Sequence, residues 1–408
     1  MTSRERAAEL DAVDELAGLR ERFALPADVI YLDGNSLGAL PASTPARLAR
    51  VIEHEWGERL IRSWNEADWF TTPARVAGRL APLIGADADE VAVADSTSVN
   101  LFKLLVAACR LRPGRRTLVL ERGSFPTDVY IAGSVAELLG GELRLVDGPD
   151  DLPDALDETV AVLSLTHVDF RTGALWPARE VTAQAHRVGA LAMWDLCHSA
   201  GALDVDLHGW GADLAVGCGY KYLNGGPGAP AFCFVARRHQ DGLATPLPGW
   251  HGHAEPFAMG LDYAPAPGIG QLAVGTPPML SLIGLDEALS TMDGVSAKSL
   301  RAKGQRLTSL FIELLDQWCP DLVLASPRDP RSRGSQVSYR HADAYPLVQA
   351  LIERGVIGDF REPDIARFGF APAYLRFVDV WDAARHVRDA LAAGEHRDPR
   401  FAARGAVT

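Results

Sequence analysis

A chain of 408 residues has room for two or three domains or one large α/β unit, and 48% apolar with 23% charged residues is ordinary globular usage that excludes a disordered or fibrous protein. The net charge of −13 repels phosphate backbones and anionic lipid headgroups, so nucleic acid and membrane surfaces are not expected partners. No run reaches the ~20 apolar residues of a membrane span, and the first thirty residues carry Arg, Glu and Asp instead of an apolar signal core, which places the protein in the cytoplasm by expectation.

In chain order, residues 41–64 (PASTPARLARVIEHEWGERLIRSW) open with Ser/Thr/Pro start signals and predict a helix, and residues 98–114 predict a second one closed near Pro113-Gly114. From Thr117 the pattern alternates: strand 117–122, helix 126–140, strand 142–147, strand 159–168, helix 177–189 and strand 190–197. Strands spaced by 10–15-residue helical stretches predict a mostly parallel sheet with helices on both faces. Residues 214–223 and 231–236 are separated only by the Gly/Pro-rich 224–230, too short for a helical crossover, and predict an antiparallel pair that makes the sheet mixed. Beyond Pro277-Pro278 come helices over 280–292 and 297–318, strand-like pieces at 322–326, 335–340 and 367–370, and a last helix over 381–394. The expected division is an N-terminal segment 1–55 packing with the small domain, a large domain 56–280, and a smaller α+β domain 281–408.

Chemistry concentrates in Trp194-Asp195-Leu196-Cys197-His198 and in Gly219-Tyr220-Lys221-Tyr222. Asp195 ends an apolar strand, where open α/β sheets present functional groups to a crevice, and Lys221 lies just beyond another. Pyridoxal phosphate satisfies both groups at once, the lysine as imine former and the aspartate as partner of the pyridine nitrogen. An isolated Asp and Lys would more simply be an ion pair capping two strands. Further parts favour the cofactor: Asp95-Ser96-Thr97-Ser98 stands before a helix, where backbone N–H groups and hydroxyls suit a phosphate, although such residues also serve as plain N-caps. Phe125 follows the strand 117–122 and can stack on a ring or pack in the core with equal ease. The dinucleotide fingerprint fails for want of a third glycine, the protease, nucleotide and esterase motifs are absent, and Asp195 with His198 makes a poor metal site because no further ligand clusters with them.

These residues resemble the kynureninase family, pyridoxal-phosphate hydrolases of the aspartate-aminotransferase-like fold (fold type I). The resemblance runs over most of the chain, through YLDGNSLGALP (31–41), DSTSVN (95–100), FPTD (125–128), WDLCHSAG (194–201), GYKYLNGGPG (219–228), PGWHGH (248–253), GTPP (275–278) and RFGFAPAYLRFVDVWDA (367–383). It implies Lys221 as the cofactor-bonding lysine, Asp195 on the pyridine nitrogen, His198 beside the ring, Thr97 and Ser98 on phosphate, and Phe125 stacked on the ring. Asp128, Thr166, Tyr220, Trp250 and Thr276 complete the implied cofactor shell, Trp250 across a dimer interface. Arg367 is implied as the clamp of the substrate α-carboxylate, with Ser36, Trp64 and Thr276 also at the substrate. Trp64 and Thr276 match the bacterial-type members that favour kynurenine over 3-hydroxykynurenine; the plainer alternatives are a core tryptophan at a helix end and, for Arg367, a strand-end surface arginine. Cys197 stands where many relatives have alanine.

The implied reaction is hydrolysis of L-kynurenine to anthranilate and L-alanine by a homodimer with shared sites, in tryptophan breakdown or anthranilate supply. Lys221 removes the α-proton and Tyr220 is the expected proton shuttle at the γ-carbonyl. A class V aminotransferase, a cysteine desulfurase or a non-catalytic protein on the same scaffold would share Asp195 and Lys221 and stay open at this point. Cys109, Cys197, Cys218, Cys233 and Cys319, an odd and scattered set without CxxC, are expected as buried thiols in a reducing compartment, not as disulfides or zinc ligands.

Overall fold

Runs such as Val160–Thr166 and Leu191–Asp195 are apolar along almost their whole length because both faces of the strands they form are covered. The structure, a computed structural model, describes residues 3–405. β1 (Ile30–Tyr31) lies in the N-terminal segment. The main sheet takes β2 (Val91–Val93), β3 (Thr117–Glu121), β4 (Glu142–Val146), β5 (Val160–Thr166), β6 (Leu191–Asp195), β7 (Leu214–Cys218) and β8 (Ala231–Val235). Their spatial order is β2-β8-β7-β6-β5-β3-β4, parallel throughout except for β8, which is antiparallel to both neighbours. The predicted antiparallel pair is thus β7 with β8, set inside the sheet because β2 takes the edge. β2 was not legible in the sequence; three residues are too few to show a period.

Alternate residues of each strand enter two different cores, as a period of two requires. Leu118, Leu120, Leu191, Met193, Leu214 and Val216 pack with Leu101, Leu104 and Leu105 of the helix Thr97–Leu111. Val119, Leu163, Ala192, Trp194 and Ala215 face the opposite way, toward Val181 and Ala185 of the helix Ala178–Arg187. Helices therefore cover both faces, as the alternation predicts.

The C-terminal part adds β9 (Val323–Leu324), β10 (Gln336–Arg340), β11 (Val356–Ile357), β12 (Asp359–Arg361) and β13 (Ile365–Gly369). β12-β13-β10-β9 form an antiparallel sheet, and β11 pairs in parallel with β1. The N-terminal helix Arg4–Ala12 packs against the last helix, Phe377–Ala393, where the Asp11 carboxylate accepts from the backbone nitrogens of Phe377 (2.6 Å) and Val378 (3.0 Å). Asp14, just after that N-terminal helix, pairs at 2.7 Å with Lys303 of the helix Ala297–Trp318, both side chains being buried. Among the described residues no helix is long and apolar enough to cross a membrane.

One predicted element is corrected. The helix over 41–64 is broken: Thr44–Arg50 is α-helical, Val51–Trp56 widens into a π turn, and Leu60 adopts a left-handed φ of 54° before the short helix Ser63–Glu66. The Ser63 hydroxyl donates to the Glu55 carbonyl at 2.5 Å, taking an acceptor that a continuous helix would use.

Asp213, just before β7, fixes the register of the strands that carry the site. Its buried carboxylate accepts from His239 and His186 (2.7 Å each), from Arg238 (2.6 Å) and from the Ala192 nitrogen (2.8 Å). Burial alone would raise its pKa, but the hydrogen bonds from His239, Ala192, His186 and Arg238 outweigh it and hold the carboxyl well below the usual range. A depressed carboxyl contributes stability that is complete above its unfolded pKa of about 3.9 and fades as pH falls toward the folded value. Asp213→Asn is expected to cost about 2–4 kcal/mol in urea unfolding at neutral pH, with the difference from the parent shrinking below about pH 4.

Candidate active site

Parallel strands that end at one edge deliver their following residues to one place. β2 leads to Thr97 and Ser98, β3 to Phe125 and Asp128, β5 ends in Thr166, β6 in Asp195, and β7 leads through Tyr220 to Lys221. These residues, with His198, line one narrow cavity of about 100 Å³. Thr127, Phe170 and Cys197 line it too and went unnoticed as site residues in the sequence. Phe125 and Phe170 also line a wider cavity of about 680 Å³ beside it, which opens the site toward Ser36 and Arg361.

Lys221 sits in the turn after β7. The loop of residues 33–39 packs directly on that turn: the Gly38 nitrogen donates to the Tyr220 carbonyl at 2.8 Å, and a Cβ at Gly38 would stand 2.3 Å from the Lys221 carbonyl oxygen. Only glycine permits that approach. Lys221 Nζ is 2.9 Å from His198 Nε2. Burial disfavours the Lys221 ammonium, yet the acidic groups around it, Cys218, Cys197, Tyr220 and Asp195, outweigh burial and hold its pKa above the ordinary value. The Tyr220 hydroxyl is pushed up to about 12, mainly by burial, and stays protonated at neutral pH.

Two acids face each other across the cavity. Asp195 accepts from the Cys197 nitrogen at 2.7 Å, and Thr166 Oγ1 donates to Asp128 Oδ2 at 3.4 Å. Burial and the neighbouring Asp195 carboxylate push the Asp128 carboxyl well above the usual carboxylate range. The helix Thr97–Leu111 points its N-terminus at the same cavity, with Ser96 as N-cap accepting from the Val99 nitrogen at 3.3 Å. Asp95, at a left-handed φ of 54°, is held by fully buried Lys103 at 2.7 Å, eight positions on and set among apolar neighbours. Phe125 remains 46% exposed, an aromatic face with no partner on its cavity side except the edge of Phe170. His198 has both ring nitrogens engaged, Nδ1 by Gln336 and Nε2 by Lys221.

Arg367 is not a surface arginine. It lies mid-strand in β13, buried, and its Nε donates to Asp359 Oδ1 at 2.7 Å, its Nη2 to Asp359 Oδ2 and to Ser36 Oγ (2.8 Å), and its Nη1 to the Phe170 carbonyl at 2.5 Å. Asp359 also takes Arg361 at 2.6 Å and the Ser36 hydroxyl at 2.8 Å. Nearby Asp33 is raised to about 7 by burial and by Asp359. Asp359 was missed in the sequence; the one available signal is the charged Asp-x-Arg at alternate positions of an otherwise apolar stretch.

Three predicted residues lie elsewhere in the chain. Trp64 packs edge-on against Trp69 with ring centres 6.0 Å apart, Trp250 packs with His251 and Phe257 and lines a separate cavity of about 380 Å³, and Thr276 is exposed.

Residues 300–387 match the family model described as the kynureninase C-terminal domain. Kynureninases from Burkholderia mallei and Pseudomonas fluorescens are 53% and 50% identical to this chain over 416 aligned positions, covering all of both sequences. The chain belongs to the kynureninase family. Cysteine desulfurases from Thermococcus onnurineus and Escherichia coli share the fold at TM-scores of 0.78 and 0.79 with 19% and 20% identity, covering 92% and 93% of this chain and 98% and 99% of theirs. The α/β fold of pyridoxal-phosphate enzymes of type I is therefore the architecture found here, and the segments 95–100, 125–128, 194–201 and 219–228 bring residues to the cavity at its sheet edge.

Asp359→Ala would strand the Arg367 guanidinium in a buried setting without its counter-charge. The expected loss is about 3–5 kcal/mol in urea unfolding, against about 1 kcal/mol for Ser36→Ala, which removes one neutral hydroxyl.

Proposed function

We propose that this chain hydrolyses the Cβ–Cγ bond of L-kynurenine to give anthranilate and L-alanine, using pyridoxal phosphate held in the Lys221 cavity. The observation that carries the reading is a lysine amine and two carboxyl groups in one cavity of a chain that matches kynureninases along its whole length. The residues fit the cofactor. Asp195, partnered by Asp128, is a ready counter-charge for a protonated ring nitrogen, Thr97 and Ser98 at a helix N-terminus suit a phosphate, and the open face of Phe125 suits a flat ring. When bound, the cofactor supplies an electron sink for a carbanion at the substrate α-carbon.

The chain's own groups do the rest. Lys221 Nζ would hold the cofactor, and the same amine is the group placed to take the substrate α-proton. Arg367 retains one Nη1 hydrogen outside its internal bonds, and with the Ser36 hydroxyl beside it this guanidinium receives the substrate α-carboxylate. Tyr220, protonated at neutral pH, donates to the γ-carbonyl oxygen as water adds there and takes a proton back from that water, so the hydrate forms with no net change in protons. The cysteines, all five buried, offer no mobile nucleophile of the kind a desulfurase needs.

A cytoplasmic homodimer accounts for the remaining residues. Trp250, Phe257, Met259, Leu261, Phe70 and Leu280 are exposed large hydrophobics, more than an isolated surface usually carries in one region, and a second copy would cover them. Trp250 and Thr276 would then complete the partner's cavity, and Trp64 would line the aryl pocket, favouring kynurenine over its 3-hydroxylated form by about 1–3 kcal/mol.

In the protein loaded with pyridoxal phosphate, Lys221→Ala is expected to abolish both the visible absorbance of the lysine-bound cofactor and anthranilate release, in a preparation that still sediments at twice the chain mass. Retention of anthranilate release by that variant would refute the assignment. Tyr220→Phe is expected to lower kcat by about 10²-fold or more with little change in KM, and an unchanged turnover number would remove the proton-shuttle role.

A further inference from the structure

The position of one hydrogen in the site is set by a residue of the C-terminal sheet. Gln336 opens β10 and is fully buried. Its amide nitrogen donates to two backbone carbonyls in the segment after β5, those of Asp169 (3.2 Å) and Phe170 (3.1 Å). Carbonyl oxygens only accept, so the amide cannot be turned around, and its Oε1 must be the atom 3.1 Å from His198 Nδ1. An acceptor there requires a hydrogen on Nδ1. Burial, Lys221 and Arg367 push the His198 pKa well below its ordinary value, so the ring is neutral and its Nε2 is bare. That bare nitrogen is the one 2.9 Å from Lys221 Nζ.

We propose that Gln336 is a positioning residue that locks His198 as the Nδ1–H tautomer and thereby keeps the Lys221 lone pair available for chemistry. The opposite tautomer would aim an N–H at Lys221. Against an ammonium this is repulsive, and against a free amine it would occupy the very lone pair that bonds the cofactor and takes the α-proton. With Nε2 bare, Lys221 can only donate to His198, and its lone pair is directed elsewhere. The lock also reaches the carboxylate arginine, because the Phe170 carbonyl that anchors Gln336 accepts from Arg367 Nη1 as well. The inference rests on the proposed function only for what the amine does; the tautomer itself is a property of the folded chain.

The test is nitrogen NMR of the pyridoxal-phosphate-loaded protein labelled with ¹⁵N-histidine, the His198 signals being assigned by their loss in His198→Gln. The expected result is a directly bonded hydrogen on Nδ1 and a pyridine-type shift on Nε2. Gln336→Met, which keeps length and loses the acceptor, is expected to give a mixture of tautomers and a kcat lower by about tenfold with KM within about twofold. Gln336→Glu, protonated in this buried place, keeps one donor for the carbonyls and one acceptor for Nδ1, and is expected to retain the parent signals. A hydrogen on Nε2 in the parent protein, or an unmixed Nδ1–H tautomer in Gln336→Met, would overturn the proposal. The parent measurement decides the first point even if Gln336→Met fails to fold, and neither NMR result depends on kynurenine being the substrate.

Discussion

Two carboxyl groups and one amine share one narrow cavity behind the sheet edge, and their mutual compensation is the constraint on which the rest of the site depends. Asp195 can remain at the end of β6 because Asp128 takes up a proton beside it and the Cys197 nitrogen donates to it. Lys221 can remain charged because acidic groups surround it. A cation arriving beside the two acids would meet their charge at little reorganisation cost, since the dipoles are already in place.

The same logic governs the second charged cluster. Arg367 and Arg361 meet a single carboxylate, Asp359, and both draw on the Ser36 hydroxyl. An arginine so oriented is stiff, and a planar donor held stiff loses little freedom when it engages a carboxylate. The supporting residues come from β12, β13 and the N-terminal loop, so the two ends of the chain build this half of the site together.

Much of this was legible in the sequence, for local reasons. Apolar runs of strand length bounded by helical stretches disclosed β3 to β8, and a residue at the end of such a run is at the sheet edge wherever the strand sits, so Asp195 and Lys221 could be found without knowing the strand order. Thr97, Ser98, Phe125, Asp128, Thr166, Tyr220 and His198 followed from motif context and do line the cavity. The misses have a common cause. Asp359, Gln336 and Lys103 matter through partners that meet them only in three dimensions: Gln336 reaches His198 across 138 positions, and Lys103 reaches the Leu272 carbonyl across 169. A polar residue in an apolar run carries no local mark of the partner it will find. The broken helix over 41–64 failed differently, because the Ser63 hydroxyl competes for a carbonyl that periodicity assigns to the helix.

Asp11 stands 366 positions before Phe377, the residue whose backbone nitrogen it caps, so the helix Arg4–Ala12 is made long before the helix Phe377–Ala393 that it packs on. Gln336 and Arg367, which hold His198 and the Phe170 carbonyl, likewise follow the whole of the main sheet in the chain. The main sheet can therefore assemble during synthesis while the helix Arg4–Ala12 waits without its partner, and the site gains these two supports only after β10 and β13 have been made. A chain stopped before β10 lacks both.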